Sequence, residues 1–232
     1  MRFEFKSFGL EHGESAMKIG FDSVLLGGWA EVNDHQKVLD IGAGCGILGL
    51  MLSQKANQIR LTSVEIDPLA ALECERNGAQ IPWRINHSVK CADFKEFAGN
   101  SLEKFDVMIS NPPYFEVNGQ ISESQREQAR QQTDLSLSEL FKSSAALSHE
   151  NSTFYLIFPS EMSKEVGYWG RTHGWWCAKE IEVRNKSHQN PKRTLWKWVR
   201  SVVQSEKSTL VVNNERGEKT EEYQKMVAPF LR

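Results

Sequence analysis

The stretch Val38-Leu39-Asp40-Ile41-Gly42-Ala43-Gly44-Cys45-Gly46-Ile47-Leu48-Gly49-Leu50 decides the fold. A short apolar run of strand character enters a turn with glycine at alternate positions, and a second apolar run of helical character leaves it. Glycines let the backbone approach a ligand closely, and the start of the following helix offers unpaired N–H groups. The spacing is Gly-x-Gly-x-Gly, with Asp40 two residues before the first glycine. Dinucleotide binders use Gly-x-Gly-x-x-Gly instead, so this turn favours a ligand without a pyrophosphate.

Outward from that turn, strands and helices alternate. Strands are expected at 38–41, 61–65, 88–91, 107–110 and 154–158, and helices near 46–55, 68–79 and 136–149. Such alternation argues a mostly parallel sheet covered on both faces. Beyond Pro159 a helix is expected near 160–173, strands near 180–186, 195–203 and 208–212, and a last helix near 220–229. The N-terminal segment alternates Phe3, Phe5 and then Phe8 with polar residues, as a short strand or hairpin does. Asp22 reads as the cap of a short helix over Ser23–Trp29. The polar stretch 116–133, rich in Gln, Glu and Arg, reads as a mobile lid over a substrate.

The strand ends carry the chemistry. Glu65 closes the second strand nineteen residues past Gly46, where an acid can accept both hydroxyls of a ribose. Asp67, with Pro68 behind it, reads as a helix cap. Asp93 follows the third strand and either binds an adenine amine, the reading favoured here, or caps a turn. Asn111-Pro112-Pro113-Tyr114 follows the fourth. Two successive prolines stiffen this corner and leave its carbonyls as acceptors. The Asn111 side-chain oxygen and the Pro112 carbonyl, beside the flat ring of Tyr114, suit a planar NH₂ group. Holding both N–H bonds favours the pyramidal geometry in which that nitrogen's lone pair can attack. Taken alone, the tetrapeptide reads equally as a rigid turn.

Composition excludes several classes. The chain has 232 residues, 40% of them hydrophobic, enough for one core. No run approaches the roughly 20 apolar residues of a membrane span, and the N-terminus lacks the apolar segment of a signal peptide. Cys45, Cys74, Cys91 and Cys177 are not at metal-ligand spacing, which points to a reducing, cytoplasmic setting without a metal. The net charge of −2 hides an asymmetry: residues 1–159 carry 14 Lys+Arg against 21 Asp+Glu, and residues 160–232 carry 14 against 9. Arg184, Lys186, Lys192, Arg193, Lys197 and Arg200 lie in an acid-free stretch together with Trp196 and Trp198. Cations neutralise phosphates and exposed rings stack on bases, so this stretch is expected to contact nucleic acid; read the other way, the two Trp face the core on alternate strand positions and the cations form a solvated face.

Asp-Ile-Gly-Ala-Gly-Cys-Gly, Val-Glu-Ile-Asp, Ala-Asp-Phe and Asn-Pro-Pro-Tyr fall in this order on four successive strand ends. The set resembles the class I S-adenosylmethionine-dependent methyltransferases that modify planar amino groups. The resemblance implies a Rossmann-like α/β fold with a seven-stranded, mostly parallel sheet. It also implies S-adenosylmethionine as cofactor: Gly42, Gly44 and Gly46 would approach its methionine part, Glu65 its ribose and Asp93 its adenine, while Asn111 and Tyr114 would hold the target amine. Asp40 belongs to the same cofactor set.

A finer similarity runs almost end to end, to the bacterial tRNA(Val) (adenine-N6)-methyltransferase family. It is carried by Met17-Lys18-Ile19-Gly20-Phe21-Asp22-Ser23-Val24-Leu25-Leu26-Gly27, Ala129-Arg130, Thr133-Asp134-Leu135-Ser136, Pro191-Lys192-Arg193 and Thr220-Glu221-Glu222-Tyr223. It implies that the segment around Lys18 and Asp22 lies over the cofactor. It implies a tRNA partner, no membrane, and a monomer of one domain over 1–232. Within that domain 1–36 would cover the cofactor, 116–133 would move with substrate, and 180–232 would form a basic part. Arg126, Arg130, Arg184, Lys186, Lys192 and Arg193 would hold the RNA backbone. Phe21 stands where the family leads one to expect Thr, and Gln131-Gln132 stand where a ring-bearing residue is common.

Overall fold

The computed structural model describes residues 1–15, 18–113 and 135–231. Strands β1 (Arg2–Glu4) and β2 (Gly9–Glu11) pair antiparallel as the expected hairpin, ahead of helix α1 (Phe21–Trp29). The alternating block follows: β3 (Lys37–Ile41), α2 (Ile47–Lys55), β4 (Arg60–Glu65), α3 (Pro68–Gln80) and β5 (Asn86–Cys91). It continues through α4 (Phe94–Asn100), β6 (Val107–Ser110), α5 (Leu137–Ala146), β7 (Thr153–Pro159) and α6 (Ser163–Thr172). Strands β8 (Trp176–Arg184), β9 (Arg193–Val199) and β10 (Glu206–Val211) precede the final helix α7 (Glu221–Val227).

The large sheet has the order β10-β8-β9-β7-β6-β3-β4-β5. Among the described residues it holds eight strands rather than the seven expected, because β10 adds in parallel to the outer side of β8. Of these described strands only β9 runs against the rest, pairing antiparallel with both β7 and β8. The central strands are buried on both faces, and so read as near-continuous apolar runs. One apolar cluster joins the sheet to α1, α2 and α7 through Leu25, Leu50, Met51 and Val227. The other joins it to α4, α5 and α6 through Phe94, Phe141 and Val166.

Local chemistry sets the helix starts. Asp67 accepts from the N–H groups of Leu69 and Ala70, with Pro68 in the first turn of α3. Ser136 and Glu139 form a capping box on α5. At α1 the expectation fails: Gly20 is the cap residue, and Asp22 lies inside the first turn with its carboxylate turned to Arg193.

Candidate active site

β3 ends at Ile41, and the chain turns through Gly42 (φ +66°) and Gly46 (φ +84°) into α2. Both angles lie in the left-handed region that glycine enters without strain. The N–H groups of Gly42 and Ala43 donate to the Val64 carbonyl at 2.9 and 3.1 Å, which folds the turn onto the end of β4. There Glu65 accepts from the Gly44 N–H at 2.7 Å through one oxygen and from the Asp67 N–H at 2.9 Å through the other. Each oxygen keeps a further lone pair. A Cβ placed on Gly42 would meet no atom within 4 Å, so the turn faces open space.

Asp40 is fully buried beneath this turn. Its Oδ2 accepts from the Gly49 N–H at 2.8 Å, while its Oδ1 has no partner among the described residues. Burial pushes its carboxyl up to about 7, and the charge of Glu65 adds to the rise. Asp93 stands just past β5, whose Cys91 is paired in register with Glu65. Its Oδ1 accepts from the N–H groups of Lys95 and Glu96 at 2.7 and 3.2 Å, so it does cap a helix, α4.

The segment before α1 is strapped over the glycine turn. The buried Glu73 carboxylate of α3 accepts from the N–H groups of Gly13, Glu14 and Ser15 and from the Ser15 hydroxyl, at 2.6 to 3.1 Å. The Lys18 ammonium donates to the carbonyls of His12, Gly13 and Ser15 at 3.0, 2.8 and 3.2 Å, and so closes the strap on itself. Ser15 Oγ lies 3.8 Å from where a Cβ on Gly44 would stand.

At the end of β6, Asn111 is 7% exposed and Pro112 is buried behind it. The Asn111 Nδ2 donates to the Ser23 hydroxyl at 3.0 Å, whereas its Oδ1 has no partner among the described residues. A buried carbonyl oxygen without a donor is costly, and the side chain here opens on a groove from which a donor can come. That groove measures about 510 Å³ and is lined by Asn111, Lys18, Phe21, Asp22, Lys192 and Arg193, among others. Three regions distant in sequence therefore meet at one amide. Tyr114, Arg126, Arg130 and the stretch 116–133 lie outside the described residues.

The basic stretch is corrected in one respect. Trp196 and Trp198 are 3% and 1% exposed and stack on each other in the core, on alternate positions of β9, so neither offers a face to a base. Several of its cations are also held by protein groups. Arg193 Nε meets Asp22 at 2.7 Å, Arg184 meets Glu182 at 2.8 Å, and Lys197 meets Glu31 at 2.6 Å. Lys186 donates to the Glu215 carbonyl, and Arg200 to the carbonyls of His173 and Gly174. Lys192 lines the groove together with Asn185 and Lys219, two residues that the sequence did not single out. Ser23, which no sequence pattern marks, is the side chain that holds the Asn111 amide.

The strand order, and the pairing of a glycine turn with an Asn-Pro-Pro corner across it, place the protein among class I S-adenosylmethionine-dependent methyltransferases. The family "Methyltransferase small domain" matches residues 15–145. A Bacteroides fragilis relative named tRNA1(Val) (adenine(37)-N6)-methyltransferase is 34% identical over 98% of this chain and 96% of its own. A Photorhabdus laumondii relative of the same name is 32% identical over 98% of this chain and 94% of its own. The solved structure of a predicted O-methyltransferase from Agrobacterium tumefaciens shares the fold with a TM-score of 0.71 at 16% identity, over 90% of this chain and 96% of that one. The chain belongs to the methyltransferase small-domain family, in the branch of those tRNA1(Val) (adenine(37)-N6)-methyltransferase relatives.

S-adenosylmethionine is the cofactor of this class, and the residues present fit it: open space beside Gly42, and a Glu65 carboxylate at the turn whose oxygens each keep a further lone pair. Among the described residues no helix is long and apolar enough to cross a membrane, and no cluster of His, Cys, Asp and Glu is placed to hold a metal ion.

Proposed function

We propose that the protein transfers the methyl group of S-adenosylmethionine to the exocyclic N6 amine of the adenine immediately 3′ of the anticodon in tRNA(Val). The observation that carries this reading is the Asn111 Oδ1, a buried acceptor without a donor among the described residues, in a groove also lined by Lys192, Arg193 and Lys219. An adenine amine supplies the missing donor, and a polynucleotide supplies phosphates for the cations.

In this reading Gly42, Gly44 and Gly46 approach the methionine part of the cofactor, above the carboxyl of Asp40. Glu65 accepts from the ribose, Asp93 takes the adenine, and the strap containing Lys18, with Asp22 beyond it, covers the whole. The cofactor supplies a methyl group already activated on a sulfonium. What remains for the protein is positioning, which is worth several kcal/mol of barrier. Asn111 Oδ1 and the Pro112 carbonyl accept the two amine hydrogens and turn the nitrogen lone pair toward the methyl, and Tyr114 stacks on the base. The target base leaves its stack to reach them, at a cost of a few kcal/mol. After transfer the surplus proton leaves to water, so no general base is assigned. The chain works as a cytoplasmic monomer of one domain, with Arg126, Arg130, Arg184, Lys186, Lys192 and Arg193 along the RNA backbone.

The test is methyl transfer from radiolabelled S-adenosylmethionine into tRNA from cells lacking the gene, beside total protein from the same cells. Label recovered as N6-methyladenosine from one tRNA is the expected result, and label in a protein band would overturn it. Asn111→Ala is expected to lower turnover at least about 10²-fold while cofactor affinity holds. Loss of cofactor affinity in that variant would assign Asn111 to the architecture of the pocket instead.

A further inference from the structure

Phe21 departs from the residue expected of the family, and its surroundings give the departure a use. It opens α1 and is 42% exposed, although it is a large apolar side chain. Its ring stacks on that of Tyr223 from α7, with centroids 6.0 Å apart and planes 13° from parallel. Tyr223 itself is buried, with the Lys219 ammonium 4.9 Å from its ring centroid. Phe21 is thus the upper plate of a two-ring stack whose lower plate is anchored in the core. The same ring lines the groove that Asn111 opens on, beside Asn185, Lys192 and Lys219.

An exposed ring held flat in a groove with cations at its rim is what an unstacked base needs: a face to cover it and charge for its phosphates. Asn111 already engages the target base, and Phe21 stands in the same groove but on a different element. We propose that Phe21 is the stacking platform for a nucleobase flanking the target adenine, with Lys192 and Lys219 beside its phosphates. This rests on RNA being the substrate. Such stacking accepts any base, so Phe21 adds affinity and holds the flanking nucleotide in place rather than reading its identity.

The experiment measures binding of full-length tRNA(Val), assembled by ligation, in the presence of S-adenosylhomocysteine. The proteins are wild type, Phe21→Ala and Phe21→Trp. The RNAs are intact, or lack the base on the 5′ or the 3′ side of the target adenine. Phe21→Ala should bind intact RNA roughly 5- to 150-fold more weakly, and Phe21→Trp should retain the affinity. On one of the two abasic RNAs the difference between wild type and Phe21→Ala should vanish, which identifies the stacked base. The salt dependence of binding should not change, because stacking releases no counterions. Unchanged affinity in Phe21→Ala, or an equal loss on all three RNAs, would overturn the proposal. So would weakened binding of S-adenosylhomocysteine by that variant, since Phe21 would then serve the cofactor. Failure of the underlying reading looks different: the wild type itself would neither bind nor methylate the tRNA.

Discussion

Asp40 combines three properties at one residue: full burial, one hydrogen-bonded oxygen and one without a partner among the described residues. Its carboxyl rises from 3.8 to about 7 in the folded protein, so the fold holds a proton there that the unfolded chain has already released. Between those values the native state binds more protons than the unfolded state, and stability contributed by this group falls as pH rises. The expected slope is about 1.4 kcal/mol per pH unit within the window. Urea unfolding at several pH values should show wild type losing stability relative to Asp40→Asn from pH 4 to pH 7, with no further divergence above it. At this scale the sequence was informative wherever a residue acts through its backbone position, as with Gly42, Glu65 and Asn111 at strand ends. It was silent on Ser23, because the bond to Asn111 spans 88 positions and an isolated serine carries no signal of its partner. Asp93 was ambiguous for another reason: the same carboxylate suits a helix cap and an adenine amine.

At the level of elements, the strap before α1 depends on α3, because Glu73 alone gathers four donors from residues 13–15. Glu73→Gln replaces one acceptor oxygen by an NH₂ group facing those donors. Leaving buried donors unsatisfied costs about 1–3 kcal/mol. Faster amide exchange at Gly13, Glu14 and Ser15, with weaker cofactor binding and an intact sheet, is the expected outcome. Exchange-coupled mass spectrometry and calorimetric titration check it, and unchanged exchange would detach the strap from α3. The hydrophobic periods and caps made most elements readable, α3 most clearly through Asp67 and Pro68. The strap was not readable, since its structure comes from a distant carboxylate rather than any local pattern. For Trp196 and Trp198 the core-facing alternative is the one that holds, and the sequence does not decide it because a strand's inward face and an exposed aromatic stripe have the same alternation.

For the molecule as a whole, the charge asymmetry between residues 1–159 and 160–232 becomes a groove with cations along one side. Lys192→Ala and Lys219→Ala should each weaken tRNA binding and lower the slope of log affinity against log salt by about 1. Arg193→Ala should weaken tRNA binding as well, but it also removes the 2.7 Å ion pair to Asp22 in the first turn of α1, so it should cost cofactor affinity that the two lysine variants keep. Fluorescence anisotropy across a salt series reads the first effect and calorimetric titration of the cofactor the second, and an unchanged slope in both lysine variants would remove them from the RNA path. The parallel core of the sheet was legible from strand–helix alternation, whereas the place of β10 was not, because a parallel edge strand carries no mark of its neighbour. The insertion of β9 between β7 and β8 also bears on synthesis. As the chain leaves the ribosome, β7 is made well before residues 193–199, its only partner on that side. Until then the apolar run Thr-Phe-Tyr-Leu-Ile-Phe-Pro presents unpaired N–H and C=O groups along one side. Emergence of β9 therefore covers an edge along which the nascent protein could pair with another chain.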